Sequence, residues 1–234
     1  IPRPPRSTLR STRRQRQMCI RDSCNAVSPA TSRRIAAAIA GAGAPFIDAG
    51  IIGVPPAPGR AETRFYASGP EVRWLEGLAG SGERGGIAVI GLGDEIGRAS
   101  AIKMAYAALT KGTMTLQAAV LVTAMRLGVF EELCREFEKS QPQAWGRMGI
   151  LPFLPADSGR WVGEMEQIAA TFREAGVPDD FHRGAAAIFR MMAATPFAAE
   201  SRETLDRSRT LEDAIRVFAE HLPPRRGEDP ASGR

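Results

Sequence analysis

The sequence predicts an α/β segment followed by an all-α one, and three observations carry that expectation. Between Cys24 and Gly91, short runs rich in apolar and β-branched residues are interleaved with helix-like stretches and turn signals. After Asp94 the apolar periodicity is helical almost throughout. A length of 234 residues with 44% hydrophobic content is enough for one large domain or two modest ones with a real core.

The elements follow in order. Residues 1–23 show no amphipathic period. Ser28-Pro29 supplies a capping side chain and a proline at the first helical position, so a helix is expected over 30–42, ended by Gly43. Phe46-Ile-Asp48-Ala-Gly-Ile-Ile52 reads as a strand, and Gly53-Val-Pro-Pro-Ala-Pro-Gly59 as a turn too rich in proline to be either element. Residues 63–68 alternate like a strand, 70–79 suggest a short helix, and 86–91 another strand. A long helix is then expected over 96–127, with further helices over 131–139, 160–175, 178–194 and 211–221. The polar, Pro/Gly-rich residues 223–234 read as a frayed tail. The domain organisation expected is a basic segment 1–23, an α/β part 24–95, a helical part 96–222 and the tail.

Charge and composition exclude several function classes. Seven arginines against one aspartate give residues 1–23 a charge of +6, so the chain total of +5 leaves −1 for the rest. A body near neutrality argues against a nucleic-acid-binding fold. The segment can be read as a basic arm or as an Arg/Ser-rich transit peptide. A third reading fits better. Arg14-Gln-Arg-Gln-Met-Cys-Ile-Arg-Asp-Ser23 resembles translated sequencing-adapter DNA, and no initiator methionine precedes it, so 1–23 is expected to be non-native and disordered. The most apolar stretch, 114–129, is interrupted by Gln117 and Arg126, which argues against a membrane span. Cys19, Cys24 and Cys134 form no CxxC pair and no ligand cluster with His182 or His221. No metal site is expected, and a reducing cytoplasm fits.

Two features bear on chemistry. Ile87-Ala-Val-Ile-Gly91-Leu-Gly93-Asp-Glu-Ile-Gly97 has the strand, Gly-x-Gly turn and helix start of a dinucleotide site, but its third glycine falls one residue late. Asp94 and Glu95 would also aim carboxylates where a pyrophosphate should sit. It is read as a tight strand-to-helix junction. The second feature is Ala99-Ser-Ala-Ile-Lys103-Met-Ala-Tyr106-Ala107, in which one lysine lies among small and apolar residues with no acid within one turn. Packed on both sides, that amine is desolvated and its pKa falls toward the range useful for proton transfer. Snorkelling out along its stem, it is an ordinary surface lysine. Spacing alone leaves both readings open. His182, among Asp179, Asp180 and Arg183, reads as a solvated histidine at a helix start, and Met191 and Met192 beside Phe189 and Phe197 read as core. Trp145 and Trp161 suit a dimer face or a substrate cleft equally well.

With these elements placed, the ordered set Asn25-Ala-Val-Ser-Pro29, Phe46-Ile-Asp48-Ala-Gly-Ile-Ile-Gly53, Tyr66-Ala-Ser-Gly69 and Ala99-Ser-Ala-Ile-Lys103-Met-Ala-Tyr resembles the NAD(P)-dependent β-hydroxyacid dehydrogenases. That family includes the 3-hydroxyisobutyrate and 6-phosphogluconate dehydrogenases. Arg160-Trp-Val-Gly-Glu-Met-Glu166 is most similar to the C-terminal domain of a phosphogluconate-dehydrogenase-like branch. The resemblance runs from about residue 24 to about 195. It implies the C-terminal part of a Rossmann-type domain, joined by a long helix to a helical dimerisation domain, and hence a homodimer. It also implies NAD or NADP as cofactor, a small hydroxyacid as substrate, and Lys103 as general acid/base. Asn25 and Ala26 match one substrate loop, and Ile52, Gly53 and Val54 match the loop whose backbone N–H groups bind the substrate carboxylate. Tyr106 and Ala107 flank the lysine one turn on.

The departures are informative. The family's Ser-Gly-Gly reads Ile52-Gly53-Val54, its asparagine after the lysine is Ala107, and its later Lys-Asp pair reads Gly163-Glu164. These changes bear on the substrate more than on the reaction class and favour a larger or more apolar acid than hydroxyisobutyrate. The family's opening strand, GxGxxG loop and helix have no match here, so the chain is expected to be a dehydrogenase cut at residue 24, inactive by itself. The rival from another class is a non-enzymatic helical dimerisation module with a degenerate α/β remnant. An α/β hydrolase is excluded by the lack of a Gly-x-Ser-x-Gly elbow.

Overall fold

The computed structural model describes residues 21–57, 63–77, 79–82 and 85–222. The basic residues 1–20, Pro58 and Gly59 of the proline-rich turn, and the tail 223–234 lie outside the described residues. The chain divides into two compact units, the first drawn from Ile1–Tyr106 and Ala170–Gly176, the second from Ala107–Ala169 and Val177–Arg234.

The first unit is built on a five-stranded sheet. Its strands are β1 (Arg21–Ser23), β2 (Phe46–Ile52), β3 (Thr63–Ser68), β4 (Gly80–Gly82) and β5 (Gly85–Gly91), in the spatial order β1-β2-β3-β5-β4. β1 runs parallel to β2, β3 antiparallel to β2, β5 parallel to β3, and β4 antiparallel to β5. Helix α1 (Pro29–Gly41) connects β1 to β2 and starts as its sequence dictates: Ser28 is extended and its hydroxyl accepts from Thr31 N at 3.2 Å, with proline next in line. The carboxylate of Glu174 satisfies a further amide of this first turn, Ala30 N, and pairs with Arg33. Ile47, Ala49, Ala67 and Leu75 form the sheet's buried cluster, with Val72 and Val89 against it.

Two differences from the sequence reading have simple causes. Arg21–Ser23 belong to the sheet rather than outside it, because the edge of β2 offers a row of backbone partners that a short segment can pair with. The helix expected over 70–79 shrinks to α2 (Arg73–Glu76), which Gly77, a poor helix former, ends as its C-cap.

Helix α3 (Arg98–Leu127) begins in the first unit and ends in the second. There follow α4 (Phe130–Ser140), α5 (Pro142–Met148), a 3₁₀ turn (Leu151–Phe153), α6 (Pro155–Glu174), α7 (Asp180–Ala193), a second 3₁₀ turn (Pro196–Ala199) and α8 (Leu211–Glu220). The second unit buries Leu121, Leu151, Met165, Ile168, Phe189, Met192, Ile215 and Phe218, so Phe189, Met191 and Met192 are core as expected, whereas Phe197 is only half-buried. Trp161 packs edge-on to Phe189 at 5.3 Å between centroids. Among the described residues no helix is long and apolar enough to cross a membrane, and no group of three His, Cys, Asp or Glu side chains is placed to hold a metal.

His182 departs from its expectation of solvation. It lies in the first turn of α7 with 5% of its surface exposed, its ring edge-on to Phe181 at 5.2 Å. Burial lowers its pKa below the ordinary histidine value, against an opposing pull from Asp179. A base with a lowered folded-state pKa takes up its proton less readily in the native than in the unfolded chain. Its contribution to stability is therefore complete above the unfolded value and is lost as pH falls through the folded one. Melting temperatures should drop between neutral and mildly acidic pH, and His182→Phe should flatten that part of the profile; an unchanged slope in the variant would assign the acid sensitivity elsewhere.

Candidate active site

An acid in the middle of an apolar strand organises the first unit. Asp48 is 1% exposed, and its carboxylate accepts from five donors. Oδ1 takes the hydroxyls of Ser32, at 2.8 Å, and Ser100, at 2.6 Å. Oδ2 takes the amides of Gly97, at 3.1 Å, and Ser100, at 2.9 Å, with the Ser68 hydroxyl at 3.4 Å. Ser68 Oγ in turn accepts from Ala99 N at 3.2 Å. The first amides of α3, which no carbonyl within the helix can satisfy, thus end on side chains of β2 and β3.

Two residues along β2 the helix comes closer still. A Cβ on Gly50 would lie 2.8 Å from Lys103 Cβ and 2.9 Å from the Ala99 carbonyl oxygen, so only glycine admits this contact. One residue further, Lys103 Nζ donates to the Ile51 carbonyl at 2.6 Å. Three successive anchors, at Asp48, Gly50 and Ile51, therefore dock α3 along β2 and bring the amine to that strand's carboxyl end. Lys103 itself is half-buried, which places it between the two readings its spacing allowed.

The expected loop leaves from the same place. Ile52 is buried at the end of β2, and Gly53 has φ 127°, a conformation glycine adopts without strain. Val54 is 45% exposed, and its carbonyl accepts from the Thr63 hydroxyl, which ties the turn to the start of β3. Asn25, exposed, and Ala26, half-buried, follow β1, whose parallel pairing with β2 sends both strands toward the same end of the sheet. In open α/β sheets that carboxyl end is where ligands bind. Tyr106 is 49% exposed, so its ring is not a core side chain, whereas Ala107, the first residue of the second unit, is 2% exposed and brings no polar group.

Within the second unit, Glu164 has a partner that sequence reasoning missed. It pairs with Lys111 of α3 at 2.7 Å, both side chains being nearly buried, and with Arg160 one turn back at 3.0 Å. Lys111 Nζ also lies 5.5 Å from the Trp161 ring centre. The lysine absent at Gly163 is thus matched by one from a helix some fifty positions earlier, a pairing no local spacing announces.

The Gly91–Gly97 turn does not fit a pyrophosphate. Gly97 N is bound to Asp48, Gly69 N donates to the Gly93 carbonyl at 3.0 Å, and a Cβ at Gly97 would lie 2.8 Å from the Arg33 guanidinium. The amides of Gly97, Ala99 and Ser100 at the helix start are taken by the Asp48 and Ser68 side chains and are not offered to a phosphate.

A family profile described as a domain of unknown function, DUF1932, matches residues 124–192. Among curated proteins no sequence match is found. Solved structures do match. A conserved hypothetical protein from Sinorhizobium meliloti 1021 is 23% identical with a TM-score of 0.61, over 87% of this chain and 66% of that one. The conserved protein MTH1747, described as structurally similar to 3-hydroxyacid dehydrogenases, is 28% identical with a TM-score of 0.53, over 74% of this chain and 65% of that one. The Mycobacterium tuberculosis 3-hydroxyisobutyrate dehydrogenase, solved with L-serine, is 17% identical with a TM-score of 0.55, over 85% of this chain and 69% of that one. The chain spans just under two thirds of the first two relatives. The shared fold is a Rossmann N-terminal domain followed by a helical C-terminal domain.

The close approach at Gly50 has a measurable consequence. Gly50→Ala should destabilise the protein by about 1–3 kcal/mol through overpacking against Ala99 and Lys103. Gly41→Ala, at a helical position with nothing within 4 Å, should be neutral or stabilising. Denaturant midpoints compare the two, and equal behaviour would show that α3 is not held against β2 at this distance.

Proposed function

We propose that this chain provides the substrate side of an NAD(P)-dependent oxidoreductase acting on a β-hydroxyacid, a reading supported by its likeness to a protein described as similar to 3-hydroxyacid dehydrogenases and to a 3-hydroxyisobutyrate dehydrogenase. The observation that carries the reading is the Lys103 amine, held 2.6 Å from the Ile51 carbonyl at the carboxyl end of β2, where Ile52, Gly53 and Val54 turn away. An amine there suits general acid/base work: it takes the proton of the substrate hydroxyl as the alcohol becomes a ketone and returns it in the reverse direction. The backbone of Gly53 and Val54 binds the substrate carboxylate, and Asn25 and Ala26 close the site from the end of β1. Tyr106 presents its hydroxyl where Ala107 brings none. NAD or NADP, when bound, would supply a nicotinamide as hydride acceptor; the Gly91–Gly97 turn, whose Gly97 amide is taken by Asp48, is not its pyrophosphate loop. Ala107 and Ile52, in place of polar residues, favour an acid larger or more apolar than hydroxyisobutyrate.

The second unit is the proposed dimerisation domain of a homodimer. Leu109, Leu116 and Leu127 are 74%, 52% and 66% exposed, and with Thr113, Val120 and Thr123 they recur at the alternating spacing of four and three that seats a partner helix.

Two experiments test these readings. In a protein carrying a dinucleotide-binding strand and loop ahead of residue 24, Lys103→Ala should lower kcat by about 10²–10⁴-fold while NAD(P)H still binds. Retained turnover would remove Lys103 from the chemistry and favour the non-enzymatic dimerisation module. Sedimentation of the chain, 25.1 kDa, should give a dimer that Leu116→Glu converts to monomer; a monomeric parent protein would refute the assembly without touching the catalytic reading.

A further inference from the structure

We infer that Asp48 is a positioning residue for Lys103: its carboxylate fixes the start of α3 against β2 and thereby holds the amine at the carboxyl end of that strand. This rests on the reading of Lys103 as the acid/base, but the positioning can be observed without turnover. The argument is geometric. Asp48 collects donors from α1 (Ser32), β3 (Ser68), the turn before α3 (Gly97) and α3 itself (Ser100 backbone and hydroxyl). Both carboxylate oxygens are in use, and the fully buried Ser68 carries a third helix-start amide, that of Ala99.

A helix cap needs one acceptor and one or two amides. Here three amides and three hydroxyls converge on Asp48 and Ser68, enough to fix rotation of α3 about its axis as well as its height along β2. Lys103 follows Ser100 by three positions, nearly one turn, so a rotation of the first turn is carried directly to Lys103. The contact at Gly50 turns that constraint into a distance. With Lys103 Cβ seated over glycine, Nζ reaches the Ile51 carbonyl; if α3 rotates or lifts, the seat and the hydrogen bond are lost together. The three buried serines have the same explanation, since hydroxyls at Ser32, Ser68 and Ser100 match a carboxylate that has nowhere else to send its lone pairs.

The test uses the chain's few lysines, Lys103, Lys111 and Lys139. A water-soluble acylating reagent at limiting concentration, followed by peptide mass spectrometry, reads the reactivity of each amine in the folded protein. Asp48→Asn keeps the shape but replaces an acceptor with a donor facing hydroxyls and amides. Lys103 acylation should then rise about three- to tenfold, the ratio that losing one net hydrogen bond implies. Lys139, exposed, and Lys111, paired to Glu164, should keep their rates. Ser100→Ala removes one hydroxyl and leaves the rest of the cluster, so it decides the matter if Asp48→Asn does not fold; it should raise the Lys103 rate by a smaller factor, and Ser100→Thr should restore it. Unchanged Lys103 reactivity in folded variants, or an equal rise at all three lysines, would overturn positioning and leave Asp48 a structural cap. That result would say nothing against Lys103 as acid/base, which the turnover of Lys103→Ala decides separately.

Discussion

A buried carboxylate at a helix start is the constraint on which the first unit depends. Taking Asp48 out of water is costly unless every lone pair finds a donor. The sequence meets that demand with three serines drawn from α1, β3 and α3 and with the otherwise orphaned amides of the longest helix. Hydrogen bonds to a charged group contribute about 1.5–3 kcal/mol each, whereas a donor left buried and unpaired costs a comparable amount. The cluster therefore behaves as a unit. It fixes where α3 begins, and the direction of α3 along β2 then sets where Lys103 ends.

Local signals made much of this legible. The bounds of β2 and β3 agree with the expected strands, because apolar and β-branched runs flanked by glycine and proline are short-range information. Ser28 and Pro29 marked the start of α1, and the long helical period after Asp94 marked α3 to within two residues at its start. What escaped depends on partners distant in sequence. Arg21–Ser23 are a strand only because β2 offers an edge. Residues 142–148 fall between the expected helices, yet Pro142 opens α5, occupying a first-turn position where no backbone donor is needed. His182 is polar and flanked by acids, which suggests solvent, but the first turn of α7 turns it inward.

The candidate site divides in the same way. The isolation of Lys103 among small residues was visible, but whether the amine is buried or solvated depends on Gly50 and Ile51, fifty residues earlier. Asp48 passed in the sequence as one residue of an expected strand, and nothing near it in sequence names its five donors. The Lys111–Glu164 pair belongs to the same class: nothing in the sequence links two residues so far apart, and only the packing of α3 on α6 makes them a nearly buried ion pair beside Trp161.

The central claim is that the end of β2 and the Lys103 amine form one binding site for a β-hydroxyacid. It is tested most directly by following the backbone amide resonances of Gly53 and Val54, together with those of Lys103, while a β-hydroxyacid larger than hydroxyisobutyrate, such as 3-hydroxyhexanoate, is added to the protein. The account predicts saturable shifts at all three positions with one apparent Kd, weakened when hexanoate, which lacks the hydroxyl, replaces the hydroxyacid. Shifts confined to other surfaces, or an equal response to both acids, would contradict it.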